Sequence, residues 1–191
     1  ERLNQLTYSD ATHSTLVIIY VPNDEARAYW GVIGDSIGGI VGRKGRIWIS
    51  PSHDARYNFE ERFKVWFKTV MRGVTYNSKE GGFVTPDGTV FYFTRMLGAS
   101  LLDEYIDRRA ELGTVPLEDG SIILLCTDGV LQKKFYREEQ IADILLNLKN
   151  DSAVSAKQIV AESVVNRYRP TDDITTIVCR VSVVEQKASL P

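Results

Sequence analysis

Acidic residues stand at three points of the sequence where an apolar run meets a turn. Asp35 lies in a Gly-Asp-Ser segment, Asp128 follows the run SIILLCT, and Asp172 and Asp173 precede the run ITTIVCRV. Carboxylates at strand ends can converge at the rim of a sheet, where they repel one another unless a cation neutralises them. Mg²⁺ and Mn²⁺ prefer such oxygen ligands and acidify their bound water. The pattern therefore raises the hypothesis of a divalent-metal site that hydrolyses phosphate esters.

A simpler interpretation competes with this one at each position. Aspartates beside glycines at strand ends are usually turn residues that bond their own backbone. Gly34 and Gly129 beside two of these aspartates would also let the backbone or a ligand approach closely. Periodicity alone leaves both interpretations open.

Composition narrows the class of protein. The chain has 191 residues and a formal net charge of -2, which is typical of one globular domain and gives no basic surface for nucleic acid or an anionic membrane. No run approaches the roughly 18 apolar residues that cross a bilayer. Cys126 and Cys179 lie in apolar runs, so both are predicted to be buried and reduced. Without a secretory signal, the expected location is the cytoplasm.

The aspartates need strands and helices to position them. Helical periodicity covers residues 59–71, where an aromatic stripe (Phe59, Phe63, Trp66, Phe67 and Val70) is interpreted as core or lid packing. In the helix predicted over residues 153–168, the side chains of Ile159, Val160 and Val164 are expected to face inward. Strands are predicted over residues 15–21, 27–33, 37–41, 46–50, 105–109, 121–127 and 174–184, and helices over 59–71, 137–149 and 153–168. This order indicates an α+β layered domain with mainly antiparallel pairing.

Four segments together resemble a known family. In chain order they are RAYWGVIGDSIGGIVGRKGRIWISPSHD, VFYFTRMLGAS, LEDGSIILLCTDGVLQKKFYREEQIADIL and RYRPTDDITTIVCRV. They resemble the PP2C-type (PPM) metal-dependent Ser/Thr protein phosphatases. The resemblance implies a four-layer sandwich of two antiparallel β-sheets flanked by helix pairs. It also implies a binuclear Mn²⁺ or Mg²⁺ centre and hydrolysis of phosphoserine and phosphothreonine esters by a metal-activated water.

The resemblance assigns roles residue by residue. Asp128 and Asp172 correspond to metal ligands, and Asp35 corresponds to a ligand of a third, weaker metal site. Gly129 and Asp173 take supporting roles. No residue of the chain is assigned as catalytic. Residues 57–88 fall where the family has its variable flap, and the implied partners are a phosphorylated protein substrate and a Ser/Thr kinase.

The chain also departs from the family pattern. A basic residue for phosphate and a DGHGG-type motif belong to the family's N-terminal strands, and neither is found in these residues. Residues 1–191 are therefore expected to form a single PP2C-like phosphatase domain that is N-terminally incomplete. Three alternatives stay open: an active phosphatase domain, a pseudophosphatase that acts as a binding or regulatory module, and a SpoIIE-like phosphatase, whose TDGV and DDIT strings both occur here.

Overall fold

A computed structural model describes residues 14–56, 58–97, 109–130, 138–147, 151–165 and 174–182. The helices are α1 (Phe59–Val70), α2 (Glu138–Asn147) and α3 (Ser152–Val165). The strands are β1 (Leu16–Tyr20), β2 (Arg27–Ile33), β3 (Ile37–Val41), β4 (Ile47–Ile49), β5 (Thr75–Asn77), β6 (Gly82–Val84), β7 (Val90–Phe91), β8 (Glu111–Pro116), β9 (Ile122–Cys126) and β10 (Thr176–Arg180).

These elements fall into two compact units. The first unit contains Gly31–Ser36, Pro51–Glu111 and the described residues up to Val17, and the second contains Ile18–Trp30, Ile37–Ser50 and the described residues from Leu112 onward.

A four-stranded antiparallel sheet, in the order β10-β9-β3-β4, organises the second unit. Its central strand β9 is an unbroken apolar run, IILLC, which is the pattern expected of a strand buried on both faces. Gly120 lies in the turn that precedes β9. Its φ is 80°, a left-handed conformation that glycine adopts without strain. The apolar composition of this segment thus predicts that it is a buried strand, and the turn residues beside it predict where the strand ends.

Alternate residues of β9 face two different cores. Ile122 and Leu124 pack with the helices, in a cluster that includes Leu145 of α2 and Ile159 of α3. Ile123 faces a second cluster, formed with residues of the three-stranded sheet β1-β2-β8, most of which belongs to this unit. The second cluster consists of Ala28, Ile40, Leu117 and Ile123, with Ile19, Val21, Trp48, Val115 and Val181 partly buried against it.

The first unit has its own small core. Helix α1 packs beside the antiparallel sheet β5-β6-β7, and Phe83 is fully buried between them. The remaining core residues are Ala55, Val65, Val74 and Phe91, with Tyr76 partly buried against them. At the edge of this unit the buried Asp54 carboxylate accepts hydrogen bonds from Arg56 Nε (2.8 Å to Oδ2) and from the Arg56 amide (2.7 Å to Oδ1).

The predicted α+β, PP2C-like fold with antiparallel sheets is confirmed. Three helices are found among the described residues, and two of them, α2 and α3, pack against the four-stranded sheet. Residues 105–108 of one predicted strand lie outside the described residues. Within the part of the chain that the structure describes, no helix is both long and apolar enough to span a bilayer.

Three predictions about burial were wrong. Cys179 is exposed because β10 is an edge strand of the described sheet, and only the other face of that strand, at Val178, packs into the core. Val164 is exposed near the end of α3. The aromatic stripe of α1 also faces solvent, and Phe59 is 70% exposed. In each case the apolar character of the residue was correctly read from the sequence, but the sequence did not show what covers it.

Candidate functional site

The clearest candidate site lies at the end of the buried strand β9. One residue, Thr127, separates the end of that strand from Asp128, which begins a short 3-10 turn, Asp128–Val130. In this turn the Val130 amide donates to the Thr127 carbonyl (3.1 Å). Gly129 and Val130 are buried, whereas Asp128 is half-buried. The buried strand therefore fixes the backbone of Asp128 while its carboxylate stays within reach of water.

Two hydrogen bonds join this point to the beginning of β10. The Thr127 amide donates to the Thr175 carbonyl (3.1 Å), and the Thr175 amide donates to Thr127 Oγ1 (3.1 Å). Asp172 and Asp173, which precede Thr175 by three and two residues, lie outside the described residues. The described pairing brings the backbone before Asp128 beside the backbone that follows Asp172 and Asp173.

The sheet register adds a third strand end to the same row. Cys126 is paired with Thr176 of β10 on one side and with Ile37 of β3 on the other. The C-terminal end of β9 therefore lies between the N-terminal ends of β10 and β3. This is the strand-end arrangement that the sequence analysis expected for residues at the rim of a sheet.

Asp35 belongs to the first unit and is buried, with 9% of its surface exposed. Its preceding residue, Gly34, has φ of 94°, and a Cβ there would come within 2.5 Å of the Thr15 side chain, so glycine is required. Its following residue, Ser36, shares a 2.6 Å hydrogen bond between hydroxyl groups with Thr15. Asp35 thus lies between a glycine that the packing requires and a serine whose hydroxyl group is hydrogen-bonded.

His53 supports this segment and was not predicted to do so. The Gly34 amide donates to His53 Nδ1 (3.0 Å), and the His53 amide donates to the Gly34 carbonyl (2.9 Å). Because Nδ1 accepts, the ring proton is on Nε2, which lies 3.3 Å from Glu111 Oε2. The His53 side chain is fully buried.

The thiol beside the candidate site is not a nucleophile. Burial, and to a smaller extent the nearby charge of Asp128, raises the pKa of Cys126 to about 12. A thiol with that pKa stays protonated near neutral pH, and only the thiolate attacks. Chemistry at this end of the sheet would have to use a different nucleophile, such as water.

The donors found here are of the type that a hard divalent cation takes. Asp128 offers a half-buried carboxylate on a rigid strand end, and carboxylate oxygens are the preferred ligands of Mg²⁺ and Mn²⁺. Among the described residues, however, no group of three His, Cys, Asp or Glu side chains converges as a metal site would require. The described part of the chain thus supplies single carboxylates of a fitting type but not a complete ligand set.

Comparison with models of known protein families identifies the family of this chain. The family model described as Stage II sporulation protein E (SpoIIE) matches residues 83–182, which is more than half of the chain. The chain belongs to the SpoIIE family. The matched residues include Asp128, Asp172 and Asp173 of this SpoIIE-family chain, whereas Asp35 and helix α1 lie outside them. A comparison with curated proteins found no match.

Solved structures agree with that assignment at the level of fold. Serine-threonine phosphatase 2C from Toxoplasma gondii aligns with a TM-score of 0.68 at 17% identity, covering 94% of this chain and 60% of that one. The Mycobacterium tuberculosis serine/threonine phosphatase PstP/Ppp gives a TM-score of 0.56 at 18% identity, covering 89% and 60%. PppA, a regulatory component of T6SS in Pseudomonas aeruginosa, gives 0.57 at 20% identity, covering 88% and 57%.

These alignments confirm the resemblance to PP2C-type phosphatases. Within that fold, the family model is the one for the SpoIIE group, which the sequence analysis kept open through its TDGV and DDIT strings. The SpoIIE-family chain spans about three fifths of the length of these solved phosphatases.

Proposed function

We propose that the chain is a metal-dependent protein serine/threonine phosphatase domain, which hydrolyses phosphoserine and phosphothreonine esters with a metal-activated water. The observation that carries the proposal is the pairing of Thr127 with Thr175, because it joins the strand end before Asp128 to the strand start after Asp172. The membership of the chain in the SpoIIE family supports the same reaction class. The proposal treats residues 1–191 as one domain.

In this proposal Asp128 and Asp172 hold Mn²⁺ or Mg²⁺, and Gly129 and Asp173 support them. Asp35 is proposed, on the family resemblance alone, for a third and weaker metal site. Bound divalent ions supply Lewis acidity, which lowers the pKa of water and offsets negative charge on the phosphate.

The contribution of the chain itself is preorganisation. The two hydrogen bonds between Thr127 and Thr175 restrain both strand ends before any ligand arrives, so less reorganisation is needed when charge develops. Gly129 adds no side chain beside Asp128, and its backbone is buried in the turn. Cys126 stays a neutral thiol, which is consistent with direct hydrolysis without a covalent enzyme intermediate.

The test compares Asp128→Asn with a matched substitution elsewhere. We expect Mn²⁺-dependent hydrolysis of p-nitrophenyl phosphate and of a phosphothreonine peptide, and abolition of both by EDTA. Loss of an outer partner of a metal ligand costs about 10- to 100-fold, so Asp128→Asn should lower kcat/KM by at least about 100-fold. Asp143→Asn, an exposed aspartate of α2, is the control and should leave activity unchanged. Activity that is indifferent to EDTA or to Asp128→Asn would contradict the proposal.

One observation favours the second candidate, a pseudophosphatase that acts as a binding or regulatory module. It is that the DGHGG-type motif of the related phosphatases is not found in these residues. Calorimetry with Mn²⁺ separates the two candidates, since a pseudophosphatase of this kind gives no binding heat and no hydrolysis. The phosphoprotein substrate, the kinase partner and the cytoplasmic location stay predictions.

A further inference from the structure

Helix α1 presents its apolar face to solvent. The four aromatic residues of the stripe, Phe59, Phe63, Trp66 and Phe67, are 70%, 56%, 45% and 68% exposed, and Val70 is 52% exposed. The helix packs on its own unit through a different face, at the buried Val65 and Thr69. In the part of the chain that the structure describes, nothing covers this aromatic face, although the apolar side of an amphipathic helix normally packs against a partner.

A groove of about 500 Å³ runs beside the stripe, between α1 and strands β5 and β6. Its floor includes the fully buried Phe83, and its wall includes Arg62, whose Nη1 donates to the Tyr76 hydroxyl (3.0 Å). The guanidinium also lies 5.2 Å from the ring centre of Phe59 and 5.3 Å from that of Tyr76. These contacts fix the position of the Arg62 side chain in the wall of the groove.

The exposed aromatic patch of α1, formed by Phe59, Phe63, Trp66 and Phe67, is large enough to bind a protein. At these exposed fractions the four aromatic side chains leave roughly 500 Å² of apolar surface in water. That is near the upper end for the largest patch on a typical monomer, and such patches mark interaction sites. A standard interface buries about 800 Å² on each partner, and the exposed Val70 and Met71 extend the apolar surface of the four aromatic residues toward that size.

Shape and charge both favour a second copy of this chain as the partner. The patch carries a groove and, beside it, the protruding Phe67, so each copy offers both a cavity and a side chain to fill one. The exposed Glu60 lies in the first turn of α1 and the exposed Lys68 in the last. When two copies of α1 pack antiparallel, the first turn of each helix, with Glu60, lies beside the last turn of the other, with Lys68. The two helix dipoles then point in opposite directions, which is favourable.

We propose that α1 mediates a two-fold symmetric homodimer, in which the two helices pack antiparallel and Phe67 of each copy enters the groove of the other. Such an isologous contact uses one self-complementary patch twice. Helix α1 lies outside the residues that the SpoIIE family model matches, and none of the proposed metal-site residues is on it.

Sedimentation velocity on the 191-residue chain from about 1 to 200 μM tests the association. We expect a monomer–dimer equilibrium in this range, with Phe67→Glu and Trp66→Glu each weakening it by about ten-fold or more, as interface aromatics do. Leu112→Glu is the control: Leu112 is a 75% exposed apolar residue of β8, outside α1, and its substitution should leave the dissociation constant unchanged.

Charge reversal tests the orientation. At low ionic strength Glu60→Lys or Lys68→Glu alone should weaken the dimer by about three- to ten-fold, and the double variant should restore it. A parallel dimer would be unaffected by either single reversal. The proposal is overturned by a wild-type chain that stays monomeric at 200 μM, by Phe67→Glu and Trp66→Glu variants that dimerise normally, or by single reversals without effect. A thermal melt of each variant verifies folding.

Discussion

Cys126 and Cys179 lie on neighbouring strands of one sheet but in different surroundings. Cys126 is buried in the core between sheet and helices, and Cys179 is exposed on the edge strand β10. Burial raises the pKa of the Cys126 thiol to about 12, with a smaller contribution from the charge of Asp128. Reactivity toward thiol reagents therefore reports directly on the packing of β9.

We predict that iodoacetamide at pH 8 modifies Cys179 at least about 100-fold faster than Cys126. The reason is that a thiol with a pKa of about 12 holds a negligible thiolate fraction below about pH 10 and is also shielded from the reagent. Mass spectrometry of peptides from quenched time points measures both rates. In Cys179→Ser only the slow reaction should remain, and in urea both thiols should react alike in the wild type. Equal rates in the folded chain would contradict the described burial.

The sequence correctly predicted the environment of single residues where that environment depends on neighbouring residues in the chain. The apolar run before Asp128 correctly predicted a buried Cys126 and an aspartate at a strand end. Nothing in the sequence pointed to His53, because its ring binds the Gly34 amide nineteen positions away and that contact exists only after folding. The pairing of Asp128 with Asp172 stays a prediction, since Asp172 lies outside the described residues.

Helix α1 shows what a periodic pattern can and cannot predict. The predicted residues 59–71 match the observed Phe59–Val70, because the spacing of apolar residues fixes which of them share a face. The same spacing carries no information about what that face contacts. The interpretation as core or lid packing therefore failed on exposure, although the helix itself is correct.

Strand β8 was not predicted, for a reason visible in its sequence ELGTVP. Gly113 and Pro116 are both poor strand formers, and they interrupt the alternation that would reveal a strand. The structure explains the glycine: a Cβ at residue 113 would come within 2.4 Å of the Trp30 ring. Trp30 is in turn fixed against Trp48, with ring centres 5.1 Å apart.

We predict that Gly113→Ala lowers the free energy of unfolding by about 1 to 3 kcal/mol, because the indole of Trp30 has to move to admit the methyl group. Gly39→Ala in β3 is the matched control. A Cβ at Gly39 meets only ordinary contacts, the nearest at 3.7 Å, so this variant should be neutral or slightly stabilising. Urea denaturation measures both changes. Equal stability of the two variants would show that β8 does not approach Trp30 as described.

At the scale of the molecule, the buried apolar side chains of the described residues form three clusters that share no residue. Phe83 is central to the core of the first unit, whereas Leu145 and Ile159 belong to the helix-facing core of the second. All three side chains are fully buried. Energetic coupling between substitutions should follow these boundaries, because only residues with shared neighbours interact strongly.

We predict that Phe83→Ala and Leu145→Ala, each costing about 2 to 5 kcal/mol, destabilise additively to within about 0.5 kcal/mol. The comparison pair is Leu145→Ala with Ile159→Val, whose members share one cluster and should deviate from additivity by about 0.5 kcal/mol or more. Double-mutant cycles from chemical denaturation measure both coupling energies. Strong coupling between Phe83 and Leu145 would contradict the separation of the cores.

The division into two units also has a consequence for how the chain folds. Neither unit is continuous: residues of the first unit are interleaved along the chain with those of the second. The central pairing of β3 with β9 joins segments separated by α1 and by strands β4 to β8, and β10 completes the sheet from near the C-terminus. Closing such long loops precedes any gain from the contacts, so folding should be slow, on the order of milliseconds to seconds. During synthesis, β3 leaves the ribosome well before β9 and waits without its partner, and the described four-stranded sheet can form only after β10 has followed.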